Sequence, residues 1–171
     1  AANPGSAKLA EQAMSTAQAL GIPIALTYSD PTIVHAFHHW FTKATENLVD
    51  IIFCNESEAM VYSDTSSRAA ALEKMAKQCQ MIFMTCGEDG SLIYDNGNLI
   101  EIASHPVQVV DTTGAGDMYA AGILYGLAHN LGLSKAGLIA SYASAQVVSK
   151  MGPRLASDFR APLDTLLEFP N

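Results

Sequence analysis

The sequence predicts an α/β fold, and three observations carry that prediction. Short apolar runs of strand length alternate with helix-period segments through the first half, which implies a parallel sheet covered by helices. The 171 residues are 49% hydrophobic and only 15% charged, enough for a sizeable core and unlike a disordered tail. No apolar run approaches the roughly 18–20 residues that a membrane span needs.

The elements follow in order. Residues 4–20 place Leu9, Ala13, Met14, Ala17 and Leu20 at helical spacing, with Asn3 as cap, Pro4 in the first turn and Gly21 as the stop. The run 22–28 reads as a buried strand closed by Ser29-Asp30-Pro31, and a helix over 32–46 follows. The run 48–54 is a second strand, 55–62 a short helix and 65–78 a longer one. A third strand spans 81–85. Two short strands, 91–94 and 99–102, flank Asp95-Asn96-Gly97-Asn98, where the Asn-Gly pair tolerates the positive φ of a type I′ hairpin turn. Helices are predicted over 115–130 and 135–150, with Gly152-Pro153 ending the second and a short terminal helix over 162–168. No linker or repeat divides the chain, so residues 1–171 read as one layered domain.

Composition excludes several function classes. The formal net charge of −8 repels phosphate backbones and anionic lipid, so no nucleic-acid or membrane partner is expected. Cys54, Cys79 and Cys86 form an odd, scattered set without a Cys-x-x-Cys, and Ala1-Ala2-Asn3-Pro4-Gly5 carries neither a basic nor an apolar region. A reduced, cytoplasmic chain is the expectation. Because the sequence opens without Met, straight into a helix entry, it reads as the middle of something longer.

The stretch that carries chemistry is Asp111-Thr112-Thr113-Gly114-Ala115-Gly116-Asp117, leading into a small-residue helix. Glycines flanking a small residue let backbone N–H groups approach an anion, and the helix points its positive end at the same spot. A carboxylate there would repel a resting phosphate, but it suits accepting a proton from an attacking hydroxyl. The bland alternative is a tight turn with Asp117 as a helix cap. A dinucleotide fingerprint fails because Tyr119 stands where its third Gly belongs, and no Gly-Lys-Ser/Thr triplet offers a Walker loop.

Three further landmarks accompany this heptapeptide. Asn55-Glu56-Ser57-Glu58 has the N-x-x-E spacing, which is also that of a capping box. Thr85-Cys86-Gly87-Glu88-Asp89-Gly90 has the T-x-G-x-x-G spacing, which could equally be a hairpin turn. Met151-Gly152-Pro153-Arg154 follows the last long helix. Together, in this order, they resemble the ribokinase-like (PfkB) family of sugar and nucleoside kinases, with an ending like that of bacterial adenosine-kinase-like members.

The resemblance implies the C-terminal, nucleotide-binding portion of a layered αβα ribokinase-like domain and an ATP- and Mg²⁺-dependent phosphotransferase. It implies that Asp117 is the base for the acceptor hydroxyl, and that the amides of Gly114, Ala115, Gly116 and Asp117 form the anion hole. Asn55 and Glu58 would organise Mg²⁺ (Glu58 through water) and the phosphates, and Thr85, Gly87 and Gly90 would lie against the ATP phosphates. Asp111 and Thr113 match positions that help hold a monovalent cation such as K⁺. Thr32 stands where the family often has Asn, so no phosphate role is expected of that loop. Ser141 stands where relatives often carry an Asn near the adenine.

The chain contains no Gly-Gly dipeptide and so lacks the family's Gly-Gly-x-x-x-Asn segment, along with the substrate-binding Asp and β lid of the N-terminal half. The missing half, supplied elsewhere, is therefore an expected partner, and a homodimer is a further one. The expected acceptor is a sugar or nucleoside, with an adenosine-like one favoured. An inactive nucleotide-binding half-domain is the rival reading. A scaffold with a degenerate site is a third, opposed by the intact loop.

His35, His38 and His39 share i, i+3, i+4 spacing that could chelate Zn²⁺, but no fourth ligand is evident and packing is the expectation. Cys54 and Cys86 read as small core residues. Tyr119, Tyr125 and Tyr142 could pack or line the ATP cleft.

Overall fold

The computed structural model describes residues 4–155, so the expected Asn3 cap and the 162–168 helix lie outside the described residues. The element order is α1 (Pro4–Ala19), β1 (Ala25–Thr27), α2 (Pro31–Ala36), α3 (His38–Asn47), β2 (Ile51–Asn55), α4 (Glu56–Tyr62), α5 (Arg68–Met75), β3 (Met81–Thr85), a 3₁₀ turn (Gly87–Asp89), β4 (Ser91–Asp95), β5 (Asn98–Ile102), α6 (Ala115–Ala128) and α7 (Leu133–Val148). This is the α/β architecture expected, with sheet order β1-β2-β3-β4-β5. β1 and β2 run parallel, with Ala25 opposite Ile51 and Thr27 opposite Phe53.

The described residues form two compact units. The first holds residues up to Met84 together with Tyr94–Leu99. Its strands β2 and β3 bury Ile52, Phe53, Ile82, Phe83 and Met84, and Phe53 stacks on Phe83 with ring centroids 5.0 Å apart. Tyr28 is fully buried against Phe41 and Tyr62, and its hydroxyl meets Thr45 Oγ1 at 3.1 Å. That bond offsets the desolvation of the phenol, whose pKa burial drives far up.

Two expectations about this unit change in detail. The predicted helix over 32–46 is two helices, broken at Phe37. Asp30 caps the first, its Oδ1 accepting from the Thr32 amide at 2.7 Å and the Ile33 amide at 3.2 Å. The 22–28 run contributes only three strand residues. The hairpin turn follows its sequence signal, with φ 47° at Asn96 and 95° at Gly97.

The second unit comprises Thr85–Ile93 and the described residues from Ile100 on. Helices α6 and α7 press together through small residues: a Cβ at Gly122 would fall 2.5 Å from Ala140 Cα, and one at Gly126 would collide with Ala136. Such close approach needs glycine there. Ile93, Ile102, Ile123, Ile139 and Val147 fill the space around this pair.

Candidate functional site

The second unit contains a cleft of about 490 Å³, within the range that takes a nucleotide-sized ligand. Thr85, Gly87, Gly90, Ala115, Gly116 and Ser141 all line it, so six residues singled out in the sequence converge on one cavity.

At one side the 111–117 loop enters α6. Gly114 is the N-cap in the left-handed region, with φ 81°, where a Cβ would also strike Pro153 at 2.5 Å. The Ala115 amide donates to Thr112 O at 3.2 Å, whereas no described residue accepts from the amides of Gly114, Gly116 or Asp117. Open amides at a helix start carry the positive end of the macrodipole. Gly116 has ordinary helical geometry, and a Cβ there would meet nothing within 4 Å. Its glycine is therefore not required by the fold; it leaves room at the amides. Asp117 lies exposed in the first turn, and Asp111 and Thr113 sit in the entry loop.

Asp111 organises that loop. Its Oδ1 accepts from the Thr113 amide at 2.9 Å and its Oδ2 from the Gly152 amide at 3.0 Å. Bonds from the Thr113 side chain, the Thr113 amide and the Gly152 amide hold its pKa below the ordinary value of 3.8.

Opposite, the 85–90 turn closes when the Cys86 amide donates to Gly90 O at 2.8 Å. Gly90 has φ 90°, and a Cβ there would land on the Ile102 carbonyl oxygen. The remaining wall includes Ser91, Ser104, His105, Val107, Val109 and Ser144, none of which belongs to a sequence motif. Ser144, one turn beyond Ser141 on α7, was within reach of an i, i+3 argument; the irregular 103–110 stretch offered no periodic signal. Ser141 donates to Ala103 O at 3.0 Å, and Ser144 to Ala115 O at 3.1 Å. No lining residue is Lys or Arg, so an anion here would be met by amides and a helix end.

Asn55 and Glu58 belong to the first unit, where they form a full capping box on α4. Glu58 Oε2 accepts from the Asn55 amide at 2.9 Å, Glu58 Oε1 from Asn55 Nδ2 at 2.8 Å, and Asn55 Oδ1 from the Glu58 amide at 2.8 Å. Burial, with a smaller push from Asp30, raises the Glu58 pKa despite the Asn55 bond. Its hard oxygens suit Mg²⁺ through water, each keeping acceptor capacity beyond its capping bond.

The three histidines do not chelate as a set. The break at Phe37 separates His35 from the other two, and His38 Nε2 lies 2.8 Å from Tyr62 O. Among the described residues no group of three or more His, Cys, Asp or Glu is placed to hold a metal ion, and no helix is long and apolar enough to cross a membrane. Cys54, Cys79 and Cys86 are buried thiols outside any disulfide among the described residues.

The chain is similar in sequence and fold to known kinases. An adenosine kinase structure from Sinorhizobium meliloti superposes with a TM-score of 0.86 at 32% identity, over 90% of this chain and 48% of that one. A probable sugar kinase from Rhizobium etli superposes with a TM-score of 0.85 at 29% identity, over the same shares. A ribokinase from Lactococcus lactis is 32% identical over 125 residues, 70% of this chain and 40% of the ribokinase. The chain thus spans about half the length of these relatives. Residues 3–160 match the pfkB family carbohydrate kinase, and the chain belongs to that family.

Proposed function

We propose that this chain is the nucleotide-binding and catalytic-base portion of an ATP-dependent phosphotransferase, acting on a hydroxyl of a sugar or nucleoside, with an adenosine-like acceptor favoured. The observation that carries this reading is the set of open amides at Gly114, Gly116 and Asp117, beside an unfilled space over Gly116 at the edge of the cleft. The family relationship and the nucleoside and sugar kinases among the similar proteins support the substrate class.

In this reading the adenine end of ATP lies along Val107, Val109, Ser141 and Val148, and the phosphates between the Thr85–Gly90 turn and the start of α6. The amides of Gly114, Gly116 and Asp117, with Ala115 between them, receive the charge that builds on the transferring phosphoryl group. Asp117 accepts the proton of the attacking hydroxyl. Asn55 and Glu58 help hold Mg²⁺ through water, and Asp111 and Thr113 lend oxygens to K⁺. When bound, Mg²⁺ neutralises phosphate charge. We assign residues 1–171 to one partial ribokinase-like domain acting in the cytoplasm, where ATP is supplied.

The length relationship favours a second reading, in which this chain binds nucleotide but needs the remaining half of the domain, carried on another chain or a second copy, for turnover. One paired experiment separates the two: ATP binding by calorimetry, and ADP release from ATP with Mg²⁺ and K⁺ across a panel of nucleosides and sugars, for the chain and its Asp117→Asn variant. Acceptor-dependent release that falls about 10²–10⁴-fold in the variant supports the enzyme. ATP binding without release supports the half-domain. Neither binding nor release overturns both.

A further inference from the structure

Tyr119 stands where the second turn of α6 begins, and its hydroxyl donates to Ser91 Oγ at 2.8 Å. Each residue is only 3% exposed, and both line the cleft. Ser91 directly follows Gly90, which closes the 85–90 turn by accepting from the Cys86 amide and is seated against the Ile102 carbonyl. Tyr119 is two residues beyond Asp117, one turn from the open amides. A buried hydrogen bond therefore joins two backbone segments that flank the cleft.

Packing alone does not call for this bond. A phenylalanine and an alanine would fill the same space without desolvating two hydroxyls, and a mutual bond between buried hydroxyls adds little net stability. Burial pushes the Tyr119 phenol up to about 12, against a smaller opposing effect of the Ser91 bond, so the side chain stays a neutral donor throughout the working pH range.

We propose that the Tyr119–Ser91 hydrogen bond is a strut that spaces the Thr85–Gly90 turn from the α6 amides to fit a polyphosphate, making the site selective for nucleoside triphosphate over monophosphate. Tyr119 is a positioning residue in this scheme, acting through the amides on either side. The inference rests on the nucleotide reading proposed above and goes beyond it by naming what sets phosphate-chain selectivity.

The test measures binding of Mg-ATP by calorimetry and of AMP by ligand-observed NMR, with Tm, for the chain, Tyr119→Phe, Ser91→Ala and the double variant. Each single variant leaves one buried hydroxyl unpaired and lowers Tm, and the double variant regains it because both partners are gone. ATP affinity falls about tenfold, the worth of one hydrogen bond, in all three variants while AMP affinity holds. ATP affinity that recovers with Tm in the double variant, or equal weakening of ATP and AMP, overturns the strut and leaves the nucleotide reading intact. A parent chain that binds neither ligand overturns that reading and the strut with it.

Discussion

The Asp111 carboxylate accepts the Gly152 amide at 3.0 Å across 41 residues of sequence, and the same side chain holds the Thr113 amide. One acidic residue thus ties the loop entering α6 to the segment leaving α7. Because the folded pKa lies below 3.8, the tie is fully present above that ordinary value and is lost only as pH falls through the lower folded one. Amide hydrogen exchange should show Gly152 protected at pH 4. In Asp111→Asn, which keeps one acceptor oxygen, Gly152 should exchange faster while Thr113 stays protected. Unchanged exchange at Gly152 would remove the tie from the account.

Gly90 and Gly116 should respond oppositely to alanine. At Gly90 a Cβ meets the Ile102 carbonyl and φ is 90°, so Gly90→Ala should cost about 3 kcal/mol or more in urea unfolding. At Gly116 the space is empty and φ is helical, so Gly116→Ala should be neutral or gain up to about 1 kcal/mol. That methyl would nonetheless stand over the open amides, so ATP affinity should drop as stability holds. A Gly116→Ala chain that unfolds readily would contradict the geometry.

Glu58 sets a pH dependence of the other sign. Its folded pKa is raised above 4.5 by burial, so the folded state binds the proton more tightly than the unfolded state. Its contribution to stability therefore increases as pH falls from neutral through the raised value, and levels off below 4.5. Glu58→Gln should flatten this part of the stability–pH curve. It should also lower stability by about 1 kcal/mol, because an amide cannot satisfy both Asn55 donors.

How much of this was legible in the sequence depended on how local the cause was. The Asn96-Gly97 turn and the 81–85 strand came through directly, since positive φ and a bounded apolar run are properties of the residues themselves. The break at Phe37 was not legible, because no Gly or Pro marks it; the chain there is placed by tertiary packing of Val34 and Phe41. In the site, Gly114, Gly116 and Gly90 announced themselves by spacing. Tyr119 was legible only as a residue that could pack or line the cleft, and its bond to Ser91 was not, for that partnership crosses 28 residues and follows no motif.

The three thiols should resist modification. Cys54, Cys79 and Cys86 are buried, and burial raises the Cys79 thiol's pKa while its Sγ sits 3.3 Å from Asp50 O. Ellman's reagent should react slowly with the folded chain and release all three equivalents on unfolding. Rapid reaction of one thiol before unfolding would place that cysteine at the surface.

The hairpin turn also has a chemical lifetime. Asn96-Gly97 is the chain's single Asn-Gly step, and the unbranched glycine amide gives little hindrance to attack on the asparagine side chain. Loss of ammonia through a cyclic imide would leave aspartate or isoaspartate beside Asp95, adding a negative charge to a chain already at −8. Aspartate keeps a backbone that tolerates φ 47°, so that product preserves the turn. Isoaspartate inserts a methylene into the main chain and breaks the geometry in which the Asn96 amide donates to Gln80 O at 2.9 Å. The residue pair that makes the hairpin easiest to form is thus the one through which stored protein would age.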